Sequence, residues 1–137
     1  EVLDAESSVF DEVRKELPDV SDGFIRNLLA AFLFKGDDVL KKVKYLSGGE
    51  KSRLVLAKIF SAQNNFLVLD EPTNHLDITS REILMDVLER FEGTVLFVSH
   101  DRHFLNHLTQ KVLEVDKGGV ALYPGDYRDY LEKKRNL

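Results

Sequence analysis

Apolar residues along this chain fall into two textures that meet near Tyr45. Before it the spacing is helical throughout. Val9, Phe10, Val13 and Leu17 lie on one face of a helix that Ser8 caps and Pro18 stops, with Asp11 and Glu12 in its first turn. Over 21–34, Phe24, Ile25, Leu28, Leu29, Phe32 and Leu33 make a second helix that is apolar on several sides, with Gly36 as its C-cap. Asp37 or Asp38 then caps a short helix through Val43. Nothing in this stretch alternates with a period of two, so residues 1–44 read as a small all-helical subdomain.

From Tyr45 onward strands and helices alternate, which is the mark of an α/β domain with a parallel sheet. A helix over 50–62 carries Leu54, Ala57, Lys58 and Ser61, and the apolar run Phe66–Asp70 follows as a buried strand. The next helix, 80–91, has Thr79 ahead of Glu82 in the manner of a capping box. Strand Thr94–Val98 comes next, then a helix over 101–108. Lys111–Asp116 and 120–123 flank Lys117-Gly118-Gly119 as a hairpin, and a last helix covers 127–134. Residues 45–137 therefore form the α/β portion.

Composition narrows the class without naming a function. The chain has 137 residues, 43% of them hydrophobic, enough for one domain with one core. Its longest apolar runs, such as 28–34, are too short to cross a bilayer, and no charged-then-apolar leader opens it. A cytoplasmic protein without a membrane partner is the expectation. The absence of cysteine excludes disulfides and thiolate metal sites. A net charge of −5 argues against a surface devoted to coating nucleic acid. Lys133-Lys134-Arg135 at the C-terminus has two readings, a solvated helix end favoured by the helix dipole or an RNA-facing extension.

Candidate chemistry sits in three blocks. Leu46-Ser47-Gly48-Gly49-Glu50 places a hydroxyl and bare backbone N–H groups at the positive end of a helix, an arrangement suited to phosphate. Strand Phe66–Asp70 runs straight into Asp70-Glu71, and ligands of open α/β sheets gather at that C-terminal end. Ser99-His100-Asp101 follows the second strand at the same end. Taken singly each has an ordinary alternative: a glycine turn before a helix, an acidic strand end, a structural histidine. His100, His103 and His107 are spaced so that two share a helix face, but no H-E-x-x-H accompanies them, and His103 and His107 read as structural.

The run Leu46-Ser47-Gly48-Gly49-Glu50-Lys51-Ser52-Arg53, then Leu69-Asp70-Glu71-Pro72-Thr73-Asn74-His75-Leu76-Asp77, then Ser99-His100-Asp101 resembles the ATP-binding cassette (ABC) ATPases, strongly over residues 45–133. Residues 1–44 match only as the helical subdomain expected ahead of the signature. Asn74-His75-Leu76-Asp77 and the ending Tyr123-Pro124-Gly125-Asp126-Tyr127-Arg128-Asp129-Tyr130 are similar to the ABC-F branch, soluble twin-cassette ATPases of which many act on the ribosome. Transporter cassettes more often carry a small-residue loop at 74–77, and chromosome-maintenance ATPases lack the P-T-N-H run.

The resemblance implies a partial P-loop NTPase fold, a parallel sheet with flanking helices preceded by the helical subdomain. It implies ATP and Mg²⁺ as ligands. Ser47, Gly48, Gly49 and Glu50 would reach the γ-phosphate held by a second cassette. Asp70 would support Mg²⁺, directly or through water, and Glu71 would be the catalytic carboxylate. His100 would position the attacking water, and Asn74 to Asp77 would form the loop crossing the dimer interface. No G-x-x-x-x-G-K-[ST] phosphate loop occurs in the chain, and that loop supplies much of the ground-state grip on ATP. The expectation is that the chain alone is inactive, belongs to a longer ATPase, and exposes an apolar sheet edge through which it self-associates. A non-catalytic dimerisation or binding piece, or a transporter's nucleotide-binding domain, are the alternative functions.

Overall fold

A computed structural model describes residues 2–137, so Glu1, the first residue of the helical subdomain, lies outside the described residues. Helix α1 (Val9–Glu16) starts on Ser8, whose hydroxyl accepts the Asp11 N–H at 3.0 Å, and it buries Val9 and Val13 as the spacing requires. Helix α2 (Asp22–Ala31) is capped in the same way by Ser21 and buries Ile25 and Leu29.

The end of α2 departs from the sequence reading. The helix stops at Ala31, and Leu33, not Gly36, takes the left-handed C′ position at φ 66°. Phe34 N–H donates to Leu29 O at 2.9 Å and Leu33 N–H to Ala30 O at 3.0 Å, a Schellman motif. The reason is burial. Turning the chain here sends Phe32 and Phe34 into the core, at 3% and 1% exposure, a gain that exceeds the ~1–2 kcal/mol penalty of a left-handed leucine. Gly36, at φ 57°, instead opens a 3₁₀ turn over Gly36–Leu40, and a second one spans Val43–Tyr45. They replace the single short helix expected through Val43. An antiparallel bridge between Ser8 and Lys42 ties the start of α1 to this segment.

Helix α3 (Gly48–Ser61) is the hub. It buries Leu54, Ala57, Lys58 and Ser61 and packs on α1 on one side and on α4 (Ile78–Arg90) on the other. Between α1 and α3 the Lys58 ammonium meets the Glu12 carboxylate at 2.7 Å, with both side chains almost completely buried. Lys15 adds a second contact to Glu12 at 2.6 Å. One apolar cluster runs unbroken from Val9 and Ile25 through Phe34 and Leu54 to Leu84 and Phe104.

Strands β1 (Phe66–Asp70) and β2 (Thr94–Val98) fall where the apolar runs place them and pair in parallel, Phe66 opposite Thr94 and Asp70 opposite Val98. Helix α4 joins them. Gly93 admits the start of β2, since a β-carbon there would lie 2.5 Å from Asn65 O, the acceptor of the Thr94 N–H. Leu67, Leu69, Val95 and Phe97 face the helices, and Phe97 sits edge-on to Phe104 of α5 (Arg102–Leu108) at 4.9 Å. On the opposite face Phe66, Val68, Leu96 and Val98 are exposed, so β1 is covered on one face only and is not the buried strand that its apolar run suggests.

Strands β3 (Lys111–Asp116) and β4 (Gly119–Pro124) form a separate antiparallel hairpin. Helix α6 (Tyr127–Arg135) docks on it through Tyr130, which hydrogen-bonds Glu114, meets the Tyr123 ring edge-on and stacks with Tyr127. The α/β class and the flanking helices are thus as the sequence indicates. Among the described residues no helix is long and apolar enough to cross a membrane.

Candidate functional site

Ser47 ends an extended stretch and caps α3. Its Oγ accepts the Glu50 N–H at 3.2 Å, while Glu50 Oε1 accepts the Ser47 N–H at 3.1 Å, a reciprocal capping box. Because Oγ is already the acceptor of that bond, the Ser47 hydroxyl hydrogen remains for an external anion. The Gly48 and Gly49 N–H groups make no hydrogen bond among the described residues, and a β-carbon on Gly48 would meet open space. These donors, at the positive end of a helix over three turns long, fit a phosphate. The Ser47 amide, with burial opposing and Lys41 assisting, keeps the Glu50 carboxyl below its ordinary range. Lys41 itself reaches Glu50 at 3.6 Å.

At the C-terminal end of β1, Asp70 is exposed and Glu71 half-buried. Glu71 is left-handed at φ 46°, a strained setting for a side chain of this size, held by its N–H donating to Val98 O at 2.7 Å. Its carboxylate turns toward the end of β2, where the His100 N–H donates to Oε2 at 3.2 Å and the His100 ring nitrogen Nδ1 contacts Oε1. The His100 ring is otherwise 92% exposed. Parallel pairing thus brings Glu71 and His100, distant in sequence, onto one edge.

His100 is held from behind. Asp101 caps α5 by accepting the Phe104 N–H at 3.1 Å, and its own N–H donates to Ser99 Oγ. Arg81 of α4 approaches the same carboxylate at 3.8 Å. His103 and His107 stand apart from the site: His107 lies 3.4 Å from Glu89, and His103 and His107 belong to no cluster of three or more His, Asp or Glu among the described residues.

The turn from Glu71 to Asp77 closes through Asn74 N–H to Glu71 O and Leu76 N–H to Thr73 O, with Thr73 buried and His75 left-handed at φ 63°. Asp77, not Thr79, caps α4: Oδ1 accepts the Ser80 N–H at 2.7 Å, and Thr79 falls inside the helix. The aspartate, standing just ahead of the helix, reaches the free amide of its third residue. Ser80, whose amide donates to Oδ1, holds the Asp77 carboxyl below its usual range, with Arg53 assisting. Ser47 to Glu50 and Asp77 meet within the chain, since a β-carbon on Gly49 would stand 2.6 Å from Asp77 Oδ2. Arg53, which the sequence reading quoted only as part of a motif, stands beside both.

The chain thus sets free glycine amides at the start of one helix and a carboxylate–histidine pair at the end of a parallel sheet. Residues 2–74, over half the chain, match the family described as ABC transporter, and the chain belongs to that family. Within it the resemblance is to the F branch. The chain is 52% identical to YdiF of Bacillus subtilis (strain 168), a protein named for ATP binding, over 96% of its length. It is 45% identical to ABC transporter F family member 5 of Arabidopsis thaliana over 97% of its length. These matches take in the helical residues before Tyr45, where the sequence reading had only a general likeness. The chain spans 21% and 19% of those two relatives' lengths. A solved complex of an archaeal ribosomal stalk protein with the archaeal ribosome recycling factor aABCE1 shares the fold. Its TM-score is 0.68 over 98% of this chain and 28% of that one, at 24% identity.

Proposed function

We propose that this chain supplies one half of a composite ATP-hydrolysing site in an ABC-F type protein, with a second cassette as its partner. The observation that carries the reading is the Glu71–His100 pair at the end of β1 and β2, in a chain whose α3 begins with unpaired glycine amides. In this reading Glu71 takes the proton of the attacking water at a carboxylate oxygen, and His100 holds that carboxylate and the water in line. Ser47, Gly48 and Gly49 donate to the γ-phosphate bound by the opposite cassette, with Glu50 fixing Ser47. Asp70, exposed at the strand end, is the anchor for Mg²⁺. The metal, when bound, neutralises the charge of the phosphate oxygens. Residues 1–44 act as the helical arm and 45–137 as the signature-bearing part of the core. The proposed setting is the cytoplasm.

The ribosome as the wider partner rests on the likeness to the ABC-F branch. A transporter cassette is the second reading, and Asn74-His75-Leu76-Asp77 disfavours it. The exposed outer face of β1 and β2 supports self-association of the chain when it stands alone.

The test is Glu71→Gln in a form of the protein that includes a phosphate loop. Turnover is expected to fall by at least about a hundredfold while ATP is retained in a closed cassette dimer. Normal turnover by that variant would remove Glu71 from the chemistry.

A further inference from the structure

Three lysines stand on the approach to α3, and the fold sends them two ways. Backbone bonds stitch 41–44 to residues 5–9: Val9 N–H donates to Lys41 O at 2.9 Å, Val43 N–H to Ser7 O at 2.9 Å and Lys44 N–H to Ala5 O at 3.0 Å. Lys42 and Lys44 both turn to Glu6, at 3.2 and 2.8 Å. Lys41 turns instead to α3, where its ammonium stands 3.6 Å from Glu50 Oε2.

The two carboxylate oxygens of Glu50 therefore have separate duties. Oε1 accepts the Ser47 N–H at 3.1 Å and fixes the start of the helix, while Oε2 faces Lys41. This carboxylate lies beside the Ser47 hydroxyl and the unpaired Gly48 and Gly49 amides. A full negative charge there opposes an incoming polyphosphate, and the helix end attracts it with only about half a charge. A lysine set against the carboxylate offsets that repulsion and keeps Glu50 from swinging off the Ser47 amide. Residues 41–53 hold five cations, Lys41, Lys42, Lys44, Lys51 and Arg53, against one acid, Glu50, in a chain of net charge −5. Glu6 takes up two of them, and Lys41 is the one seated on the carboxylate that caps Ser47.

We infer that Lys41 is a positioning residue for the phosphate-facing end of α3: it holds Glu50 on the Ser47 amide and neutralises that carboxylate, so that Ser47, Gly48 and Gly49 can receive the polyphosphate of a nucleotide on the second cassette. This rests on the ATPase reading above for the nucleotide, though not for the ion pair itself. Lys41 touches no reacting atom. The low Glu50 carboxyl, set first by the Ser47 amide and assisted by Lys41 against burial, agrees with the contact.

Lys41→Met, at a side chain 45% exposed, removes the charge without opening the core. In the 137-residue chain the titration of Glu50, followed at its carboxyl carbon by NMR, is expected to climb toward the ordinary 4.5. Lys41→Arg should leave it low, and neither variant should move the denaturation midpoint. In a form with a phosphate loop, Lys41→Met should raise the KM for ATP about fivefold at about 0.1 M salt, with kcat within about twofold. That increase should shrink to about twofold or less at about 1 M salt, where screening acts within about 3 Å, and Lys41→Arg should restore most of it. In a Glu50→Gln background Lys41→Met should add less than about twofold, because the charge it answers is gone.

An unmoved Glu50 titration in Lys41→Met would overturn the contact. A KM increase of the same size in the Glu50→Gln background, or one indifferent to salt, would overturn the route through Glu50. Unchanged KM beside a raised Glu50 titration would overturn the consequence for the nucleotide. If instead the unsubstituted protein hydrolyses no ATP, or Glu71→Gln turns over normally, the ATPase reading fails while the Glu50 titration still decides the ion pair.

Discussion

The part of the molecule built around α3 and the part built from β3, β4 and α6 are held together by different physics. Around α3, Val9, Ile25, Leu29, Phe34, Leu54 and Leu84 are sealed from water, and a buried ion pair lies among them. In the hairpin and α6 no described residue is buried, and Leu113, Val115, Val120 and Leu122 line one exposed face. What docks α6 is a polar contact, Tyr130 and Lys134 on Glu114, with Tyr123 and Tyr127 beside it. The phosphate-ready end of α3 is thus mounted on a rigid block. The hairpin keeps its register by backbone pairing and its helix by a few side chains. The first arrangement suits a site that must be preorganised, the second a surface that awaits cover.

Breaking the sealed block should have the largest effect. Lys58→Met leaves the Glu12 carboxylate buried with Lys15 as its remaining cation, and should lower unfolding free energy by about 3 kcal/mol in a denaturant titration. Glu12→Leu with Lys58→Met should return stability to within about 1 kcal/mol of the unsubstituted chain, because apolar groups fill the same space. A double variant as unstable as the single one would show that the loss is one of shape, not of an orphaned charge. The pH dependence follows from the same pair. Burial pushes the Glu12 carboxyl up, but hydrogen bonds from Lys15 and Lys58 override it and hold it at about 2, against an ordinary value of 4.5. A depressed acid stabilises the fold above its unfolded pKa. That contribution should therefore be present above pH 4.5 and drain away as pH falls toward 2.

The hairpin region should respond less. Tyr130→Phe removes the bond to Glu114 and should cost about 1 kcal/mol, seen first as faster amide exchange in α6. Glu114, with burial adding, raises the Tyr130 hydroxyl from 10.0 to about 12. Its contribution is present below pH 10.0 and lost as pH rises through about 12, so absorbance titration should show one tyrosine ionising late. All four tyrosines ionising together near their ordinary value would contradict the docking contact. The smallest effect on stability, within about 0.5 kcal/mol, should come from Val115→Lys on the exposed face. A marked loss of stability would mean that this face is covered within the chain itself.

Much of this was legible in the residues, for identifiable reasons. Strands β1 and β2 are short apolar runs bounded by polar turns, and both fall at the expected residues because nothing local competes with extended structure there. Ser8 is legible as a cap because hydroxyl residues before a helix have few other roles, whereas Ser47 reads as a phosphate-facing hydroxyl and its capping role appears only with α3 starting at Gly48. The misses share a cause. Leu33 takes a conformation that glycine is expected to take, because burying Phe32 and Phe34 outweighs the backbone preference. Asp77 looks like an interface residue and is also a helix cap, a role hidden by the capping box at Thr79. Arg53 carries no local signal of its contacts, since Phe34, Gly49 and Asp77 come together only when α2, α3 and the 71–77 turn pack.

The central claim is that this chain carries the signature and the carboxylate–histidine half of an ATP site, and needs a phosphate loop for the rest. The most direct measurement is ATP binding and steady-state hydrolysis by the 137-residue chain beside a form extended to include such a loop. The account predicts an inert short chain and a long form that turns over ATP and stops on Glu71→Gln. Hydrolysis by the short chain alone, lost on Glu71→Gln, would contradict it and require a site assembled from these residues in some other way.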